Sequence, residues 1–454
     1  MQRDYLGNPT SGEDATTLAA IDDFVGGFLG YEERMVGVIA AADADPASCL
    51  ANAYAGWIFM FLESPDAPAR AAKYLARAEA ALPDATARER GAVAVLKAWA
   101  ADDLDLATRL ADEVLAGSPR DLAILKLHQY FSFIRGRFPA MLRVAQNALP
   151  VAGDVAQLHG MLAFGYEQCH LLAEAEAEAR TALRMEKREP WAQHALAHVM
   201  LSSARVREGL RFLESVSSSW TGLTSFMYTH NWWHVALFLI SEGRLEEALA
   251  IYDQHCWARD RSYSQDQVGA VSLLARIELA GGSVGERWHD LARHLGARRH
   301  DTVQPFLTLQ YLYGLARAGS AEAGELLAAV RRRAAEASAA ARALWAEVAL
   351  PACEALMAHA TGDVGRARKR LGPTLVRLLE IGGSHAQRDL FGQIYLDSLV
   401  RDGEFTAAQQ LLEERRAFEP DGVPLNRTLA RVYEGLGLPR EAARAQGRAR
   451  RAPR

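Results

Sequence analysis

A short polar turn leading into an amphipathic helix, with a small residue five places in, recurs along this chain. The clearest copies are Gly243-Arg244-Leu245-Glu246-Glu247-Ala248, Gly362-Asp363-Val364-Gly365-Arg366-Ala367 and Gly403-Glu404-Phe405-Thr406-Ala407-Ala408. Fainter copies centre on Ala107, Met141, Ala175 and Gly209, each 34 residues after the one before. Ala248 follows Gly209 after 39 residues, and Ala442 follows Ala408 after 34. Such a period leaves room for one helix–turn–helix per unit, and a small residue at the recurring position lets paired helices approach closely.

Thirty-four residues is the tetratricopeptide spacing. A single hairpin of this size cannot bury its apolar face, so neighbours must stack into an α-solenoid, a superhelix with a concave inner face. Composition agrees: half of the 454 residues are hydrophobic, aromatics are only 8%, and alanine, the best helix former, is over-used. No alternating strand pattern of useful length occurs. The expected fold is all-α: one continuous domain over residues 13–450, with its clearest register at about 100–255 and poorly ordered ends at 1–12 and 451–454. Between about 260 and 360 the period is lost, yet Gly269–Leu279 and Ala321–Leu350 still read as helices. Turns are expected at Gly281-Gly282, Gly372-Pro373 and Gly382-Gly383.

The bulk numbers exclude several classes. A formal net charge of -5 argues against a chain-wide nucleic-acid surface, and no nucleic-acid partner is expected. The exception is the C-terminus, where arginines crowd from Arg440 to Arg454; they read as a solvated last helix, with a local phosphate or acidic-lipid contact as the alternative. Cys49, Cys169, Cys256 and Cys353 are isolated, as in reduced thiols of a cytoplasmic protein. The start of the chain lacks a signal-peptide layout, and apolar runs such as Val235–Ile240 are too short to span a bilayer, so no membrane contact is expected. No glycine-rich phosphate loop is present, and no cofactor is assigned. An apolar end of a repeat array must be covered, and a homodimer would do so; the charged C-terminal helix suits a polar cap instead.

Against a background of Ala, Leu, Arg and Glu, three segments stand out: Trp191-Ala192-Gln193-His194-Ala195-Leu196-Ala197-His198, Tyr228-Thr229-His230-Asn231-Trp232-Trp233-His234 and Gly382-Gly383-Ser384-His385-Ala386-Gln387-Arg388-Asp389. In the first two, histidines at i and i+4 share one helix face. That is the ligand spacing of helical zinc proteases, but such motifs place Glu directly after the first His, where Ala195 and Asn231 stand here. The zinc-protease reading therefore fails and no metal is assigned, although four imidazoles could build a site of another kind. Trp232 and Trp233 point in different directions, so one is expected in the core and the other at the site. In the third segment Ser384 suits an N-cap, while His385 and Asp389 share a face where the carboxylate could charge or orient the ring. Asp266 and His128 are weaker candidates.

The stretch His230-Asn231-Trp232-Trp233-His234 resembles the tetratricopeptide repeat protein 38 family. His194–His198, Ala236-Leu237-Phe238, Ala248–Asp253 and Gly383–Asp389 fit the same pattern, as do Asp266 and Ser272–Arg276, with Ala275 where the pattern has Trp. The resemblance covers most of residues 20–440. It implies a tetratricopeptide-like helical fold and no settled activity. It also favours a shared pocket over scattered core histidines.

The resulting expectation is a polar pocket on the concave face that binds a small molecule or peptide end. His194, His198, Asn231, Trp232, Trp233, Gln387, Arg388, Asp266 and His128 would contact the ligand. An alternative is a hydrolytic or group-transfer enzyme in which His230, His234, His385 and Asp389 carry acid–base chemistry. A second alternative is a protein-interaction scaffold without a chemical site.

Overall fold

The computed structural model describes residues 2–450, and of 339 and 340 the backbone alone. Among the described residues the fold is all-α. Apart from isolated bridges joining Arg3 to Pro9 and Glu32 to Leu223, the regular structure is helical.

The repeat register is visible as helix starts. Helices begin at Leu104, Phe138, Leu172 and Val206, 34 residues apart. In each, the recurring position is the fourth residue: Ala107, Met141, Ala175 and Gly209, all buried. The same place is held by Ala248, Ala367, Ala408 and Ala442 in later hairpins. Two residues before each of these eight helices the backbone turns left-handed, at Asp102, Gly136, His170, Ala204, Gly243, Gly362, Gly403 and Gly437, with φ between 60° and 89°. The next residue donates its N–H to a carbonyl five back, as Asp103 does to Ala98 and Arg205 to Met200. Each first helix of a hairpin thus ends in a Schellman-type cap. The close approach at the recurring position is physical: a Cβ on Gly209 would lie 2.3 Å from the Phe238 ring.

Each helix packs chiefly on its neighbours in the chain. The second helices of the hairpins bury a narrow stripe, as Leu104–Gly117 does with Ala107, Ala111 and Val114. The first helices are buried nearly all round, as Leu122–Phe133 is. From Ser264 to Ala360 the register gives way to helices of uneven length, among them the short Arg287–Leu295. The expected single helix Ala321–Leu350 is two, broken where Ala337 turns extended and the Ser338 hydroxyl caps the next helix at Ala341 N. A π-turn at Trp345–Ala349 shifts the register again.

Contacts divide the chain into two compact units where the sequence reads as one array. The first runs up to Leu196 and takes in Ser219–Met227; the second comprises Ala197–Ser218 and the chain from Tyr228 onward. In the first, an aromatic cluster includes Phe24 stacked on Tyr54 at 4.2 Å. Residues 2–12, expected to be loose, carry the buried side chains of Asp4, Leu6, Asn8 and Thr10. Asp4 forms a buried ion pair with Arg88 at 2.9 Å, which holds this segment down. Residues 451–454, expected to be poorly ordered, lie outside the described residues. The four cysteines are free thiols. No helix among the described residues is long and apolar enough to cross a membrane.

Candidate functional site

Five helices place the side chains at issue: α1 (Pro190–Ser202), α2 (Ser225–Ser241), α3 (Ser264–Leu279), α4 (His385–Arg401) and α5 (Phe405–Arg416). The boundary between the units falls within α1, after Leu196. His194 therefore belongs to the first unit, where its ring stacks on Trp191 at 4.4 Å. His198 belongs to the second.

Within the second unit the three polar segments meet. The His198 ring lies 4.5 Å from His234 and 5.4 Å from His385, centre to centre. His230 and His234, one turn apart on α2, are 4.9 Å apart with their planes near perpendicular. His198 and His234 have no exposure, and His230 is 9% exposed. Trp233 braces the pair. Its indole stacks on His230 at 5.2 Å and meets His234 edge-on at 4.9 Å. Burial, aided by the proximity of His198, pushes the His230 pKa down to about 3, so this imidazole is neutral at ordinary pH.

Helix direction decides what α2 contributes. Trp232 turns away and stacks on His255 at 3.8 Å, so of the two tryptophans it is Trp233 that reaches the histidines. Asn231 is fully buried, and neither end of its side-chain amide has a hydrogen-bond partner. Thr229 donates to Asp266 at 3.0 Å, and Asp266 also accepts from the backbone of Asp260, which makes it a tie between α2, the loop before α3 and α3 itself.

The start of α4 is organised by its own backbone. Ser384 is the N-cap and forms a capping box with Gln387, whose side chain accepts from the Ser384 N–H at 2.8 Å. Gln387, expected at the ligand, thus serves the helix end. Arg388 donates to the Gly383 carbonyl. Gly382 and Gly383 both have positive φ, and a Cβ on Gly383 would lie 2.7 Å from the Phe306 ring. That tight turn delivers His385 to His198.

Asp389, expected to serve His385, is held elsewhere. It pairs with both terminal guanidinium nitrogens of Arg415 on α5, accepts from Gln393 at 2.7 Å, and lies 3.7 Å from Arg276 on α3. Burial alone would raise its pKa, but the two arginines outweigh it and hold the carboxyl well below the usual carboxylate range. Arg276 is 2% exposed, and burial lowers its pKa to about 10. It donates to the Ala386 carbonyl at 2.6 Å and its guanidinium lies 5.5 Å from the centre of the Trp233 ring. Arg276 therefore clamps the start of α4 against α2 and α3. Sequence reasoning gave Arg276 little weight and missed Arg415 altogether, because a run such as Glu413-Glu414-Arg415-Arg416 reads as a solvated face.

His128 lies in the first unit, buried, with Nε2 3.2 Å from Asp112. Burial lowers its pKa, against the pull of Asp112. The second unit also has a cavity of about 240 Å³ lined by Arg207, Glu208, Ser241, Glu242, Glu419 and Val423, none of them anticipated.

No family model matches the chain. Among solved structures it is similar to a monomeric mutant of IFIT1 with Gppp-AAAA (11% identity, TM-score 0.42, covering 96% of this chain and 100% of that one). It is also similar to the human IFIT1 dimer with PPP-AAAA (12%, TM-score 0.44, 95% and 94%). A third is the P58(IPK) TPR domain (13%, TM-score 0.21, 81% and 94%). These likenesses are too distant to bear on the site. Because RNA is bound in the two IFIT1 structures, the exclusion of a nucleic-acid partner drawn from net charge is withdrawn. What the register of helix starts and turns establishes is that this chain is a tetratricopeptide-like helical-repeat protein.

Proposed function

We propose that the second unit binds a small molecule or a peptide end beside His198, His230, His234 and His385, in a protein of the tetratricopeptide repeat protein 38 type. One observation carries this reading. Segments far apart in sequence, at 198, 230–234 and 385, bring each ring to within 4.5–5.4 Å of at least one other. Leu or Ala would fill the same interior at less cost in desolvation than imidazoles do. Asn231 adds a buried amide without a partner on the same helix, the kind of polar group that orients a ligand in a mostly apolar site. The acid–base alternative loses support, since Asp389 is committed to Arg415 and Arg276. The test is native mass spectrometry of the untagged chain purified from its source. One bound molecule per chain is expected, lost in His234→Gln at unchanged thermal stability. A chain that carries nothing from its source, or a variant that keeps the molecule, would remove the proposal.

A further inference from the structure

The same cluster has a second chemical capacity that does not depend on an organic ligand. We propose that His198, His230 and His234 form a three-histidine site for a divalent transition metal of the zinc class.

Each of the three can offer a ring nitrogen such that all three nitrogens lie within 4.8 Å of one another. Zinc–imidazole bonds of about 2.0–2.1 Å in tetrahedral geometry put the nitrogens about 3.4 Å apart. The closure needed is about 1.4 Å at most, which small ring rotations supply. The sequence spacing is right as well. His230 and His234, at i and i+4 on α2, present two ligands from one face, and His198 on α1 supplies the third from a second helix. The cluster is buried and braced: Trp233 stacks on His230 and meets His234 edge-on, which limits the rotamers the rings must give up on binding. The missing Glu after His230 excludes the protease arrangement but not the ion. His385 comes within the same 4.8 Å of a nitrogen of His198, but not as a member of the group that holds His230 and His234. It is a positioning residue, set to orient the His198 ring.

The untagged full chain is stripped with a chelator and titrated with Zn²⁺ alone and with Co²⁺ alone. The result expected is one ion per chain, visible d–d absorption of tetrahedral Co²⁺, and a higher melting temperature with either ion. His198→Gln, His230→Gln and His234→Gln each weaken binding by about a hundredfold or more, and His385→Ala by about 10–100-fold. His255→Gln, on the far side of α2, leaves it unchanged. Sub-stoichiometric uptake by the wild-type chain, or Co²⁺ spectra without tetrahedral bands, overturns the site without recourse to any variant. Because zinc alone is the probe, this outcome is separate from that of the ligand proposal. A source molecule retained by chelated protein that takes up no zinc supports the ligand and ends the metal.

Discussion

Two clusters of buried polar side chains, one in each unit, differ in what holds them. In the first unit Arg88 lies 2.9 Å from Asp4 and 3.1 Å from Asp121, and all three side chains are at most 2% exposed. Opposite charges meet, and the pairing ties the N-terminal segment and the helix starting at Leu122 to the helix Ala87–Ala100. Folding explains that cluster. In the second unit His198, His230, His234 and His385 set imidazole beside imidazole, the first three buried and His385 half-buried. A buried polar cluster that closes on opposite charge serves the scaffold; the gathered rings of the second unit are where the proposed ligand and ion are sought.

The sharpest way to break this contrast is Arg88→Met. It leaves two carboxylates buried without their cation, and a loss of about 3–5 kcal/mol is expected in urea unfolding. A loss below about 1 kcal/mol would mean that the cluster is no scaffold element. In the second unit Asn231→Leu is expected to do the reverse. Removing a buried amide that has no partner should leave stability unchanged or raise it by up to about 1–3 kcal/mol, while abolishing ligand binding. Clear destabilisation would show the amide to be structural.

The acid limb separates the clusters further. His230 titrates at about 6.5 when unfolded, and the fold holds it down at about 3. Between those values the unfolded chain binds more protons, so the contribution is complete above about pH 6.5 and drains away as pH falls towards 3. In metal-free protein the wild type should lose about 1.4 kcal/mol per pH unit more than His230→Gln between pH 6 and 4. Parallel curves would contradict a neutral buried ring. The smallest effect concerns the turns. Ala204 takes the left-handed conformation that glycine fills in other hairpins, with φ 60°, so Ala204→Gly should raise stability by about 1 kcal/mol.

Much of the fold was legible in the chain because the outer helices must alternate a buried stripe with solvent. Ala107, Ala175, Ala248 and Ala408 mark that stripe at a fixed distance from their turns. The turns were half hidden. Asp102, His170 and Ala204, in 34-residue register with Gly136, do the work of glycine, and an alanine such as Ala204 does not announce a positive φ. The inner helices carry no period at all, since α3 is buried nearly all round. The site was legible as an excess of polar residues on such helices, but its membership was not. Gln387 and Asp389 looked like site residues and serve a cap and an ion pair, while Trp232 faces the wrong way.

By itself the sequence determined the helical-hairpin architecture and the three segments that matter, because periodic burial and rare polar residues are written locally. Tertiary structure alone decided which histidines meet, that Arg415 rather than His385 holds Asp389, and that Arg276 fixes the start of α4. Those outcomes depend on the distance between residues up to 187 positions apart, from His198 to His385, and no local pattern encodes such a distance.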